Sequence, residues 1–162
     1  MSSLERQYVC FEVDGCLYGL DIRVVKEVNA HTEITPVPLS QKHVAGLVNI
    51  RGQVVLVIDI AAFFGHDPLK ATSQSHIIVL KTVQDMQRLR DADGELDFKG
   101  TGDKAVGCLV DRIAEVVVAD ASDLAPTPSH ISPAVALHVE GVIRLKNRLL
   151  VILNPKGIFC AS

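Results

Sequence analysis

The sequence predicts an all-β fold of two small barrels packed against each other, and three observations carry that prediction. Short segments rich in Val, Ile and Leu alternate with turn residues, which gives nine or ten short strands and few helices. Segments 46–65 and 141–160 match without a gap in ten apolar pairs, with Asp59 on Asn154, which indicates a duplicated architecture. Each contains a run that is apolar at five consecutive positions, VVLVI and LLVIL, so we expect both faces of each strand to be buried.

The first strands form a hairpin. Residues 8–13 alternate apolar and polar side chains, Asp14-Gly15 suits a tight turn, and residues 16–20 are the expected return strand. Residues 21–29, DIRVVKEVN, are ambiguous: their apolar spacing fits a short helix, whereas their valines favour a strand.

A second hairpin follows a loop. Residues 35–43 contain two prolines, which remove backbone donors and predict the loop. Strands 47–50 and 53–60 flank the turn Arg51-Gly52, where glycine allows a positive φ. Five further strands are predicted at 76–82, 105–110, 115–119, 139–145 and 149–153.

The earlier strands repeat more weakly. One match places Gly15 on Gly107, and bringing Glu27 onto Glu115 then requires a gap. Residues 84–104 interrupt the strand pattern with ten charged residues and little apolar periodicity. Such a segment buries too little surface to order itself, so a mobile charged loop is predicted, with docking on a partner as the alternative.

Composition excludes several classes of protein. A net charge of −3 argues against nucleic-acid binding, which needs a basic surface to neutralise phosphates. No apolar run is long enough for a membrane span, and the N-terminus lacks the hydrophobic stretch of a signal peptide. A cytoplasmic protein is therefore expected, without membrane insertion, and with its four cysteines reduced and buried.

Catalytic patterns are missing from the sequence. The six histidines show no metal-binding spacing, and His31, His43, His66 and His130 are expected to be ordinary surface residues. No nucleophile elbow, phosphate-binding loop or dinucleotide-binding motif occurs. We therefore expect a binding module with no catalytic residue, metal or cofactor. Arg51 is then either a solvated turn residue or a donor to a partner's carboxylates.

Four segments resemble the CheW-like family of chemotaxis coupling proteins. They are FEVDGCLYGLDIRVVKEV, VAGLVNIRGQVVLVIDIAAFFG, AVGCLVDRIAEVV and VEGVIRLKNRLLVILN, and residues 46–59 carry the most specific signature. The resemblance implies two five-stranded SH3-like β-barrels around a shared hydrophobic core, with short helices, in a single domain over 7–160. The first barrel would span 7–66 and the second 67–160, with the termini free to cross between them.

The resemblance also implies partners and site residues. The family couples the cytoplasmic tips of chemoreceptors to the regulatory domain of a histidine autokinase, as a non-enzymatic adaptor recruited to membrane-associated arrays. Receptor-binding residues carried over from it are Arg51, Asn49, Gly46, Val25 and Glu27. Candidate kinase-binding residues, near the proline-rich loop, are Val37, Pro38 and Ser40.

Two departures and several alternatives accompany the resemblance. The segment 84–104 is longer than the turn of the plain adaptor, and 39–43 lacks a proline common in the family. No receiver domain follows residue 162, which favours the stand-alone adaptor. Alternatives are a coupling protein for surface sensing or twitching, a barrel that binds another partner, and a barrel with a ligand or active-site pocket between its halves.

Overall fold

The computed structural model describes residues 5–30, 33–88, 100–102 and 104–159. His31, Cys160 and most of the predicted loop 84–104 lie outside these ranges. The ten strands are β1 Glu5–Val13, β2 Cys16–Asp21, β3 Val25–Ala30, β4 Val44–Ile50, β5 Gln53–Asp59, β6 His76–Leu80, β7 Val106–Val110, β8 Arg112–Asp120, β9 Val139–Arg144 and β10 Leu149–Leu153. The α-helices are α1 Ile60–Phe63, α2 Val83–Gln87, α3 Pro133–Ala136 and α4 Pro155–Phe159.

The all-β prediction is confirmed. The ambiguous segment 21–29 contains both predicted structures, because one 3-10 turn, Ile22–Val24, leads directly into β3. Asp21 caps this turn by accepting a hydrogen bond from the Arg23 backbone N–H at 2.9 Å. No helix in the described ranges is long and apolar enough to cross a membrane.

The strands form two five-stranded sheets. The first sheet has the order β8-β1-β2-β10-β9, and the second has the order β3-β6-β7-β5-β4. The predicted division at residue 66 does not match these sheets, because β6 and β7 belong to the second sheet with β3, β4 and β5. Pairing between distant parts of the chain, rather than nearness in sequence, sets the composition of each sheet.

The duplicated architecture is confirmed by the order of the strands. Elements β1 to β5 with α1 form one half of the chain, and β6 to β10 with α4 form the other. Each half gives its first hairpin to the sheet that contains the other half's last three strands. A parallel strand pair joins each of these hairpins to the three strands from the other half: β2 pairs with β10, and β7 pairs with β5. The two halves are therefore reciprocally exchanged.

The register of the repeat differs from the prediction. Gly19 lies opposite Ile152, and Gly107 lies opposite Val57, so Gly19 rather than Gly15 is the counterpart of Gly107. This register also places Glu27 on Glu115 without a gap. Both glycines are closely packed, because a Cβ at Gly19 would lie 3.2 Å from the Ile152 Cδ1 and one at Gly107 3.0 Å from the Ile77 Cγ2, so a larger residue would displace its neighbours.

Each sheet curls until its two edges are linked. Thr35, after β3, bridges to Leu47 on β4, and Ala125, after β8, bridges to Val142 on β9. Gly46, which precedes Leu47 on β4, allows the Thr35 backbone to pass close by, since a Cβ at Gly46 would overlap the Thr35 carbonyl oxygen. The edge strands themselves are not paired along their length in the described ranges, so fully closed barrels stay a prediction.

The shared hydrophobic core lies between the sheets. It contains buried side chains from both, including Phe11, Leu20, Ile78, Val110 and Phe159. Two smaller clusters fill the remaining faces of the two sheets. Burying one such aliphatic side chain stabilises the fold by about 1.5–3 kcal/mol.

The two apolar runs are buried less completely than predicted. Val54 and Leu149, the first residue of each run, are 58% and 44% exposed. Both lie at the start of a strand, next to a hairpin tip. The remaining four residues of each run are buried or half-buried.

The predicted loop 84–104 begins with a helix instead. The Thr82 side chain accepts a hydrogen bond from the Asp85 N–H at 3.3 Å, and the Asp85 carboxylate accepts one from the Thr82 N–H at 3.0 Å. This reciprocal capping box starts α2 and explains why the prediction was wrong over its first residues. Asp85 also pairs with Lys26 at 3.5 Å.

Candidate functional site

The tip of the β4–β5 hairpin presents Arg51. Arg51 and Gly52 have left-handed φ angles of 52° and 83°, the geometry of a tight turn that matches the twist of its strands. The Asn49 side-chain oxygen accepts a hydrogen bond from the Gly52 N–H at 2.8 Å, which fixes the turn from below. The Arg51 side chain is 76% exposed. A rigid backbone therefore carries a guanidinium that is available to solvent.

Glu27 lies beneath Arg51 and pairs with it. The Arg51 Nη2 is 2.6 Å from the Glu27 Oε1, and the Glu27 side chain is only 19% exposed. The contact lacks aligned hydrogen-bond geometry, so the Glu27 Oε1 remains buried without a hydrogen-bond partner. Glu27 belongs to β3 and Arg51 to the β4–β5 turn, so this ion pair joins the two edges of the second sheet.

The other two predicted receptor residues, Gly46 and Val25, are packed within the second sheet. Gly46 is buried at a bulge of β4, where the Thr35 backbone crosses it. Val25 is half-buried opposite Leu80 and packs against the shared core. The structure thus brings Arg51 and Glu27 into contact and places Gly46 and Val25 in the scaffold that holds them.

The loop that precedes β4 contains the predicted kinase residues. Pro38 and Ser40 are exposed, and Val37 is half-buried. The Ser40 hydroxyl donates a hydrogen bond to the Val37 carbonyl oxygen at 2.8 Å, which closes a tight turn. The loop bridges to β4 through Thr35 and Leu47, so the predicted kinase residues lie next to the hairpin that carries Gly46, Asn49 and Arg51, whereas Val25 and Glu27 lie on β3.

Sequence reasoning missed the residue in the middle of this loop. Leu39 is fully exposed and has a φ of 60°, the left-handed region that is unusual for leucine. Leu47 and Val54 are also exposed, on the outer face of the same hairpin. No pattern in the sequence marks a left-handed leucine, although its place between a proline and a serine indicates a turn.

The equivalent corner of the first sheet has different chemistry. Lys146 occupies the repeat position of Arg51, is exposed, and pairs with no carboxylate within the described ranges. The neighbouring arginines are engaged instead, because Arg112 and Arg148 both contact Glu12 at 3.2 Å. The Arg112 hydrogen bond, with help from Arg148, lowers the pKa of the Glu12 carboxyl.

His43 is not the free surface residue that was expected. Its ring packs edge-on against Phe63 with centroids 5.3 Å apart, and His138 packs on the same ring at 4.9 Å. Burial lowers the pKa of His138. The absence of a Cβ at Gly157 makes room for the His138 ring, since that atom would lie 2.8 Å from it.

Metal-ligating side chains and thiols are the groups in the described ranges that could carry chemistry. No three of their His, Cys, Asp or Glu side chains are placed to hold a metal ion. Burial raises the pKa of the Cys10 thiol to about 11 and also raises that of Cys108. Cys16 is exposed, which corrects the prediction that all cysteines are buried.

The chain is similar to proteins that are named as chemotaxis proteins. Residues 7–161 match the family model described as CheW-like domain. The chemotaxis protein CheW of Rhizobium meliloti is 24% identical over 95% of this chain and 87% of its own length. The CheW of Thermotoga maritima is 28% identical over 93% and 85%, respectively.

A solved structure agrees with these sequence matches. The scaffolding protein TtCheW from Thermoanaerobacter tengcongensis superposes with a TM-score of 0.71 and 26% identity. The superposition covers 91% of this chain and 83% of that protein. The family model matches nearly the whole length of the chain, including the β4–β5 hairpin that carries the signature. The chain therefore belongs to the family of CheW-like domains.

Proposed function

We propose that this chain is a non-enzymatic adaptor that couples chemoreceptors to a histidine autokinase in a chemosensory signalling complex. The observation that carries the proposal is the placement of an exposed guanidinium, Arg51, at a rigid hairpin tip beside an exposed, uncharged loop. Its site of action would be the cytoplasm, at membrane-associated receptor arrays. The chemotaxis proteins to which the chain is similar support this assignment.

The receptor tip would bind at Arg51. A guanidinium presents five donors in a planar fork, which suits a carboxylate on a helical hairpin. Glu27 pairs with Arg51 in the free protein, but the guanidinium is 76% exposed, so a partner's carboxylate can reach its remaining donors. Asn49 and Gly46 keep the hairpin in shape beneath the contact.

The regulatory domain of the kinase would bind at the loop with Val37, Pro38 and Ser40. The loop carries no charged side chain between Glu33 and Lys42, and its turn is closed by the Ser40 hydrogen bond. Exposed apolar side chains on the adjoining hairpin extend this surface. An apolar, preorganised surface suits a stable contact between two folded domains.

The mechanism is assembly without turnover. An adaptor that holds receptor and kinase at once turns the second binding event into an intramolecular one, and so raises their effective concentration. The two surfaces belong to one hairpin and its leading loop, so both partners would be held by neighbouring parts of one backbone.

Calorimetric titration tests the proposal with two ligands, the cognate receptor hairpin and the regulatory domain of the cognate kinase. We expect Arg51→Glu to weaken receptor binding at least about ten-fold, because it places a carboxylate beside Glu27 and removes the donors. Kinase binding should be unchanged. Lys146→Glu is the matched control, because it reverses the same charge at the repeat position.

One result would contradict the adaptor function, and another would contradict only the role of Arg51. A folded wild-type protein that binds neither ligand removes the adaptor function. Full receptor binding by Arg51→Glu, with circular dichroism like that of the wild type, removes Arg51 from the receptor site while leaving the adaptor function in place.

A further inference from the structure

Leu39 occupies a backbone conformation that suits another residue. Its φ of 60° lies in the left-handed region, where a Cβ crowds the following carbonyl group. Glycine and asparagine adopt this conformation much more readily than leucine. Its side chain is fully exposed and makes no contribution to the core. The left-handed backbone is thus unfavourable for folding, and the exposed side chain offers no burial that would offset it.

The loop around Leu39 is nevertheless held in one shape. The Ser40 hydroxyl bonds to the Val37 carbonyl at 2.8 Å, and the Val44 N–H bonds to the Gln41 carbonyl at 3.0 Å. At its base, Thr35 exchanges two backbone hydrogen bonds of 2.8 Å with β4. The leucine is therefore presented by an ordered backbone, and little conformational entropy remains to be lost when it meets a partner.

The charges near Leu39 indicate the chemistry of that partner. The sequence contains no carboxylate between Glu33 and Asp59, although the chain as a whole carries a net charge of −3. Lys42, three residues after Leu39, is exposed and has no carboxylate partner in the part of the chain that the structure describes. The complementary surface is an apolar pocket with a carboxylate on its rim.

We propose that Leu39 is the anchor residue of the kinase contact and inserts into an apolar pocket of the kinase regulatory domain, with a carboxylate of the pocket rim facing Lys42. The inference rests on the proposed adaptor function and adds to it the residue and the pocket chemistry. In many interfaces a few residues that become fully desolvated in well-packed pockets carry most of the binding energy.

The variant Leu39→Asn separates an anchor from an ordinary loop residue. Asparagine tolerates the left-handed conformation, so the unfolding equilibrium constant should fall about three-fold or more relative to the wild type. Affinity for the regulatory domain of the cognate kinase should fall about ten-fold or more, because the pocket loses its apolar occupant. Higher stability combined with weaker binding is the result that a purely structural role cannot produce.

Leu137→Asn is the matched control. Leu137 is 79% exposed in the corresponding segment of the other half, and its φ of −58° carries no strain. We expect this variant to bind the regulatory domain like the wild type. Lys42→Glu should weaken binding several-fold, and the loss should shrink as salt is raised from about 0.05 to 0.5 M.

The outcomes are distinct for the inference and for the function on which it rests. Wild-type binding that Leu39→Asn leaves unchanged overturns the anchor and keeps the adaptor. Equal weakening by Leu39→Asn and Leu137→Asn also overturns it, because surface apolarity then suffices. Failure of the folded wild type to bind overturns the kinase contact itself, and with it the anchor.

Discussion

His43 and His138 hold equivalent positions in the two halves of the chain, and both of their rings contact Phe63 edge-on. The backbone carbonyl of His43 accepts a hydrogen bond from the Asp59 N–H at 2.7 Å, and that of His138 accepts one from the Asn154 N–H at 2.8 Å. The duplication thus extends to individual hydrogen bonds. One aromatic ring lies between the two halves at the point where their equivalent segments meet.

This arrangement predicts a stability that depends on pH. Burial lowers the pKa of His138 in the folded chain, whereas the pKa of a histidine in the unfolded chain is about 6.5. The unfolded chain therefore binds this proton first as the pH falls, so the free energy of unfolding should decrease below about pH 6.5. Urea unfolding between pH 8 and 5.5 measures this decrease.

The variant His138→Gln assigns the decrease to one residue. Without the imidazole, the free energy of unfolding should vary less between pH 7 and 5.5 than it does in the wild type. His130→Gln, the same substitution in a loop residue, is the control for the change of side chain. Identical profiles for wild type and His138→Gln would show that this histidine does not couple folding to protonation.

Gly46 is expected to act through the fold and not through contact with a receptor. A Cβ at this position would overlap the Thr35 carbonyl oxygen, so Gly46→Ala must displace the backbone that links the two edges of the second sheet. We expect a loss of about 3 kcal/mol in the free energy of unfolding, at the upper end for overpacked sites. Thermal and urea unfolding measure it.

Gly52→Ala is the informative comparison. Gly52 also has a positive φ, 83°, but no atom lies within 4 Å of the position of its Cβ. Its substitution should therefore lose only about 1 kcal/mol, which is the strain of the left-handed backbone. Equal losses for the two variants would mean that backbone strain, and not the crossing of Thr35, makes Gly46 necessary.

Local sequence predicted the strands because turns and alternation are local properties. Asp14-Gly15 and Arg51-Gly52 each contain a glycine, which readily takes a positive φ, and both hairpins are present where these dipeptides indicate. Local sequence does not predict which strands pair with each other. The contacts of β2 with β10 and of β5 with β7 join distant segments, and the apolar pattern of a strand does not specify its neighbour.

The candidate site was predicted in part for the same reason. Arg51 stands out as a charged residue between two apolar strands, and the family signature assigns it a role. Its contact with Glu27 depends on the curling of the second sheet, which no local pattern encodes. Leu39 was missed because a left-handed leucine has no compositional mark, whereas glycine or asparagine there would have indicated one.

The exchange of hairpins predicts that the two halves stay associated and folded after the chain is cleaved between them. Residues 70–74, between α1 and β6, are exposed, so a protease site can be inserted there. Each half contributes strands to both sheets, and the shared core contains side chains from both. The nicked protein should elute from gel filtration as one folded species at micromolar concentration, with both fragments detected by mass spectrometry. Separation should require denaturant, because neither fragment retains a complete sheet. Two folded fragments that elute apart without denaturant would mean that each half forms its own sheet and that the exchange is wrong.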